Sequence, residues 1–183
     1  MTMLSSRHPD LFAPLASALA DHPRISLQAL AKAIGISKPT LHRLYGTREE
    51  LIERLVARAV ATCGAILREA DLANAPPQEA LRRMIHGSLG HSELATFLMH
   101  HCNGAPVKPP EIGAWEAELD AFFLRGQREK VFRIDVPAPV LTELWSRLLI
   151  GILNAVRRGR VARASLADLI ETSFLHGAVC TTP

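Results

Sequence analysis

Between His22 and Thr47 the chain carries four cations, Arg24, Lys32, Lys38 and Arg43, and no carboxylate, and Arg48 follows at once. Interleaved with them are Ser37, Thr40, His42 and Tyr45. Such a set supplies donors for phosphate oxygens and polar groups for base edges, the chemistry of binding a polyanion rather than of a reaction. The excess is local. Residues 1–50 hold six Lys/Arg against four Asp/Glu, residues 51–183 fifteen against fourteen, and the 183-residue chain has a formal net charge of +3.

These side chains need a frame, and the sequence specifies one locally. Ser26 is a candidate N-cap for a helix with Leu27, Leu30 and Ile34 on one side, and Gly35 supplies the left-handed conformation that ends it. Ile36 pins the turn. Ser37 caps a second helix in which Pro39 lies in the first turn, where a missing N–H is harmless, while Leu41 and Leu44 face inward. Lys38, Thr40, His42 and Arg43 then face water or a partner. Small residues at Ala31 and Gly35 permit the close crossing of a helix-turn-helix, whose second helix fits a DNA major groove.

The rest of the chain reads as successive helices, so the expected fold class is all-α. Asp10 to Ala20 precedes the hairpin and is stopped by His22 and Pro23. Thr47, Arg48, Glu49 and Glu50 form a capping box that opens a helix of about 20 residues, roughly 30 Å long. Further helices are expected over Pro77–Leu89, His91–Cys102 and Glu111–Lys130, with an irregular stretch over Asn103–Pro110. Val140–Arg158 has an apolar face too wide for one neighbour, and a last helix opens at Ser165 as N-cap. Leu141, Leu144, Trp145, Leu148, Ile152, Leu166, Ile170 and Phe174, with small Gly151, Ala155, Ser173 and Gly177 among them, suit a four-helix bundle shared with a second copy.

Other chemistry is weaker. His86, His91, His100, His101 and Cys102 match no established metal-ligand spacing, and neighbouring His100 and His101 point to different helix faces. No Glu-x-x-His pair, Gly-rich phosphate loop or nucleophile–base constellation occurs, so neither an enzyme nor a cofactor is expected. Met84, Leu98, Met99, Trp115, Phe122 and Phe123 are candidates for an apolar ligand cavity, or for core. Arg157, Arg158, Arg160 and Arg163 read as a solvated cap at a helix C-terminus. Three widely spaced cysteines, Cys63, Cys102 and Cys180, argue against a disulfide framework. There is no signal pattern and no run of eighteen apolar residues, so a soluble cytoplasmic protein without membrane contact is expected.

The layout, a three-helix unit ending in Leu41-His42-Arg43-Leu44-Tyr45 and a linking helix opened by Thr47-Arg48-Glu49-Glu50-Leu51, resembles the tetracycline-repressor (TetR) family of transcriptional regulators. In that family the hairpin typically ends Leu-Tyr-x-x-Phe, with Lys before Glu-Glu-Leu. His42, Tyr45 and Arg48 depart from this, and Arg7 is the single cation of the N-terminal arm. The resemblance implies a helix-turn-helix DNA-binding domain over residues 1–50 and an effector-binding and dimerisation domain over 51–183. A homodimer would present its second helices to major grooves ~34 Å apart on a pseudo-palindromic operator and act as a repressor released by a small molecule. Lys38, Pro39, Thr40 and His42 would approach base edges, while Ser37, Arg43, Tyr45 and Arg48 would position phosphates. The alternatives are a DNA-binding regulator controlled by a protein partner and a helical metal-dependent enzyme.

Overall fold

A computed structural model describes residues 10–102 and 109–178. Arg7, Cys180 and most of the Asn103–Pro110 connection lie outside them. Among the described residues the regular elements are all helices: α1 (Phe12–Asp21), α2 (Leu27–Ala33), α3 (Lys38–Tyr45), α4 (Arg48–Ala70), α5 (Pro77–Gly90), α6 (Ser92–Cys102), α7 (Pro110–Arg128), α8 (Ala138–Arg157) and α9 (Leu166–Ala178). The order matches the expected one, with ends displaced by a residue or two.

Two apolar cores form, and α4, 23 residues long, contributes to both. The first gathers Leu15 and Leu19 of α1, Leu30 of α2, Leu41 of α3 and Leu51, Leu55 and Ala59 of α4. It is completed by Leu94, Phe97, Leu98 and Cys102 of α6, so the N-terminal helices rest directly on a C-terminal one.

The second core is built around aromatic rings. Phe122 and Phe123 of α7 meet Phe132 at centroid distances of 5.7 and 5.3 Å, and Phe123 and Trp145 meet Phe174 of α9 at 5.6 and 5.4 Å. Phe132 can fold back over α7 because position 126 is glycine: a Cβ there would come within 2.3 Å of its ring. Arg125 donates from Nη2 to the carbonyls of Leu72 (2.9 Å) and Ala75 (2.7 Å), tying α7 to the α4–α5 turn. Gln127 holds the next connection through the carbonyls of Arg133 and Val136, at 2.8 and 2.7 Å.

The structure corrects the reading of the last two helices. Leu141, Trp145, Leu166, Ile170 and Phe174 are buried in the protomer's own core, because α8 and α9 close over α5 and α7. Leu148 and Ile152 are half-buried against it; of the large expected bundle residues only Leu144 is well exposed, alongside Val140 and Leu169, while the small Gly151 and Ser173 are exposed too. Helical periodicity marked an apolar surface without dividing its inward side from its outward one. Ser165 is no ordinary N-cap either: its φ is 60°, outside the extended conformation that cap adopts.

Candidate nucleic-acid interface

The hairpin is assembled by short-range bonds. Ser26 Oγ accepts from the Ala29 amide at 3.2 Å, and α2 stops at Gly35, whose φ of 77° is the left-handed region glycine tolerates. The Ile36 amide returns to the Ala31 carbonyl at 3.0 Å, fixing the turn. Ser37 Oγ then accepts from the Thr40 amide at 3.2 Å and lies 2.8 Å from Thr40 Oγ1, so both hydroxyls are partly engaged in starting α3. Leu41 is fully buried. Lys38, Pro39, His42 and Arg43 are exposed on the opposite side, with Thr40 half-buried between them.

The far end of α3 is held just as closely. The Gly46 amide donates to the His42 carbonyl at 2.8 Å, and Arg54 Nη1 of α4 reaches the Leu44 carbonyl at 3.0 Å, placing a cation on the negative end of the helix. Thr47 and Glu50 form the expected reciprocal box, with Glu50 N donating to Thr47 Oγ1 at 3.2 Å and Thr47 N to Glu50 Oε2 at 2.7 Å. Those bonds hold the Glu50 carboxyl below its ordinary range. Tyr45 packs its ring edge-on to Phe12 at 5.4 Å, which keeps the aromatic contact in the head's core. Burial, with the Asp10 carboxylate nearby, raises its hydroxyl pKa.

Arg48 is engaged within the head itself. Its Nε donates to the Ile25 carbonyl at 3.2 Å and its Nη2 to that of Pro23, so the guanidinium clamps the start of α4 to the α1–α2 connection. By contrast Arg24, Lys32, Lys38 and Arg43 have no ion-pair partner among the described residues. Their positive charge is left for an outside anion.

Behind the head, α4 to α8 line a half-open apolar cavity of about 140 Å³. Met84, Leu98, Met99 and Trp115 line it, together with Trp145. Phe122 and Phe123 do not, being locked in the ring cluster. Gly64 of α4 faces Trp115, whose indole would be in ordinary van der Waals contact, at 3.5 Å, with a Cβ placed there. Glu116 and Ser146 connect this cavity to a smaller recess bordered by Glu143 and Arg147. Cys63, also on the wall, has its thiol pushed up to about 11 by burial, with Cys102 nearby adding to the effect.

The histidines scatter. His100 Nε2 meets Asn154 Nδ2 at 3.0 Å, His101 stacks on Phe97 at 5.6 Å, and His86 and His91 are exposed. Arg157 is not a solvated cap. It reaches from the end of α8 to Asp21 of α1, while Arg158, Arg160 and Arg163 remain exposed. Arg48, Arg54 and Arg157 thus act through backbone or carboxylate partners distant in sequence, which local patterning does not register.

Comparison with known proteins agrees with this geometry. The winged helix-turn-helix DNA-binding family matches residues 17–45. Here α3 runs through Gly46 and Thr47 straight into α4, with no strand in the place of a wing. The chain is 44% identical over 183 residues to the HTH-type transcriptional regulator NfxB of Pseudomonas aeruginosa, covering 97% of each. It is 28% identical over 169 residues to the HTH-type transcriptional repressor LfrR of Mycolicibacterium smegmatis, covering 88% of this chain and 84% of that one. The crystal structure of the TetR-like LfrR in complex with proflavine superposes with a TM-score of 0.63 at 26% identity, covering 92% and 96% of the two chains. That of the TetR-family regulator PfmR from Thermus thermophilus gives 0.64 at 23% identity, covering 90% and 94%.

Proposed function

Because the chain belongs to the TetR family of DNA-binding transcriptional regulators, we propose that it represses transcription as a homodimer on a pseudo-palindromic operator and is released by a small-molecule effector. Residues 1–50 form the DNA-reading head and 51–183 the effector-binding and dimerisation body. The observation that carries this reading is the exposed row Lys38, Pro39, His42 and Arg43 on a helix fastened at both ends, with its cations unmatched by any described carboxylate. A rigid, unpaired basic helix of this kind suits insertion in a major groove. Lys38, Pro39, Thr40 and His42 read bases; Ser37 and Arg43 contact phosphate, and Tyr45 and Arg48 hold the frame.

The second copy covers the outward side of α8 and α9. Val140, Leu144 and Leu169 are exposed there, and α8 is long and apolar enough by composition to cross a membrane, yet only 22% of its most apolar window is buried within the protomer. Pairing α8 and α9 with their equivalents removes this surface from water and spaces two heads about one DNA turn apart.

The effector enters the apolar cavity. At about 140 Å³ it is smaller than the ~300 Å³ at which drug-sized sites begin, so binding must part α7 from α4. Trp115 and Trp145 offer flat apolar walls and Glu116 a carboxylate at the edge, a combination suited to flat cationic aromatics such as the proflavine found with LfrR. Since α4 also carries the base of the head, displacement along it changes the separation of the two α3 helices. Selection of bound sites from random DNA tests the class, and a palindromic consensus released by proflavine is expected. Enrichment without release by any compound of a broad cationic and neutral aromatic panel favours control by a protein partner, and no enrichment removes the assignment.

A further inference from the structure

A second cavity, of about 370 Å³, lies where α1, α5, α6, α8 and α9 meet, away from the apolar one. Its walls mix the apolar side chains of Leu153, Val156 and Leu166 with Ser17, Thr96 and Arg157. We propose that it binds a small organic acid, an apolar body bearing one carboxylate, and that the acid competes with Asp21 for Arg157.

The unmet hydrogen-bonding demand around this cavity is for acceptors. Arg157 is largely buried, and its Nη2 serves Asp21 Oδ1 and, at 3.5 Å, the Ser17 carbonyl. Its Nη1 is buried with no partner, and so is Oγ1 of the fully buried Thr96. At the rim, Arg163 has as its described ion-pair partner only Glu93, whose Oε1 is 4.0 Å away, beyond hydrogen-bond reach. Both carboxylates nearby already have donors: Glu93 accepts from Ser92 Oγ at 3.2 Å, and Asp21 from Arg157. A buried guanidinium arm without an acceptor is costly, and a carboxylate, which takes two parallel N–H donors, fits it better than a neutral or cationic group. The volume falls within the range of small-molecule sites.

The location gives the site a consequence. Asp21 ends α1, so Arg157, in the cavity wall, also holds the head to the end of α8. A ligand carboxylate that turns Arg157 towards itself takes it from Asp21 and the Ser17 carbonyl, and acid binding and the α1–α8 link oppose one another. This extends the proposed function, since it adds an effector site of different chemistry, but acid binding is measurable without DNA.

The test uses the full-length protein with hexanoate and benzoate, and with benzyl alcohol and benzylamine as neutral and cationic counterparts of the same body. Calorimetric titration is expected to show binding of the acids and not of the counterparts. Arg157→Gln should weaken the acids about tenfold or more, as expected for loss of a charge-assisted bond. Asp21→Asn, which removes the competitor and leaves the cavity walls intact, should tighten them, a gain that mere destabilisation cannot imitate. Chemical denaturation of the same variants, read by far-ultraviolet circular dichroism, serves as the control for intact folding. No binding by either acid, equal binding of benzyl alcohol, or acid affinity indifferent to Asp21→Asn each overturns the proposal.

Discussion

Gly46 and the carboxylate of Glu50 share one space: a Cβ on Gly46 would lie 2.0 Å from Glu50 Oε2. The glycine also has φ of 81°, so the link between α3 and α4 depends on it twice. Gly46→Ala is expected to destabilise the protein by about 1–3 kcal/mol, by backbone strain and by pushing Glu50 off the Thr47 amide. Chemical denaturation measures it, and a variant as stable as the parent contradicts the geometry.

Lys38 and Arg48 should separate by salt. Lys38→Ala removes an exposed cation and is expected to weaken operator binding while lowering the slope of log affinity against log salt by about 1. Arg48→Ala breaks the clamp on Pro23 and Ile25. It should lower the melting temperature and the affinity but keep the slope near that of the parent. A stable Arg48→Ala protein with a slope reduced like that of Lys38→Ala would make Arg48 a phosphate contact after all.

The long-range bonds of Arg48 mark where sequence reasoning stops. Ser26, Gly35, Ser37 and the Thr47–Glu50 box were legible because each cap bonds a residue three positions away. Arg48 was not, because its acceptors are 23 and 25 residues distant. The cavity was half legible. Periodicity selected the apolar sides of α7 and α8, but only packing reveals that Phe122 and Phe123 turn into the ring cluster and Trp145 towards the cavity.

Acid should loosen the head from the start of α4. The folded-state pKa of Glu50 is depressed below its unfolded value, so its contribution is complete above the ordinary carboxylate pKa of about 4.3 and disappears as pH falls through the lower folded value. Amide exchange at Thr47 and Glu50 is expected to accelerate in that window, before global unfolding. Protection that remains constant down to the acid transition would show the box to be unimportant.

Cys63 offers a reporter of the apolar cavity. With its thiol pushed up to about 11, roughly one molecule in ten thousand carries the thiolate at neutral pH, so alkylation by a maleimide should run about a hundredfold slower than for a free cysteine. Peptide mapping by mass spectrometry follows the site. An effector that parts α7 from α4 should change this rate; a thiol that reacts at the free rate would place Cys63 outside the buried wall.

The contribution of α6 to the first core bears on how such regulators can be recombined. Leu94, Phe97 and Leu98 pack against α1, so the head's apolar core is completed by a helix outside it. A hybrid sensor joined after residue 50 would set Leu15 and Leu19 against a foreign α6 and leave their fit to chance. A transplant that moves the DNA specificity of this chain to another body should carry α1 to α4 together with the α6 surface beneath them, making the exchangeable module discontinuous in sequence.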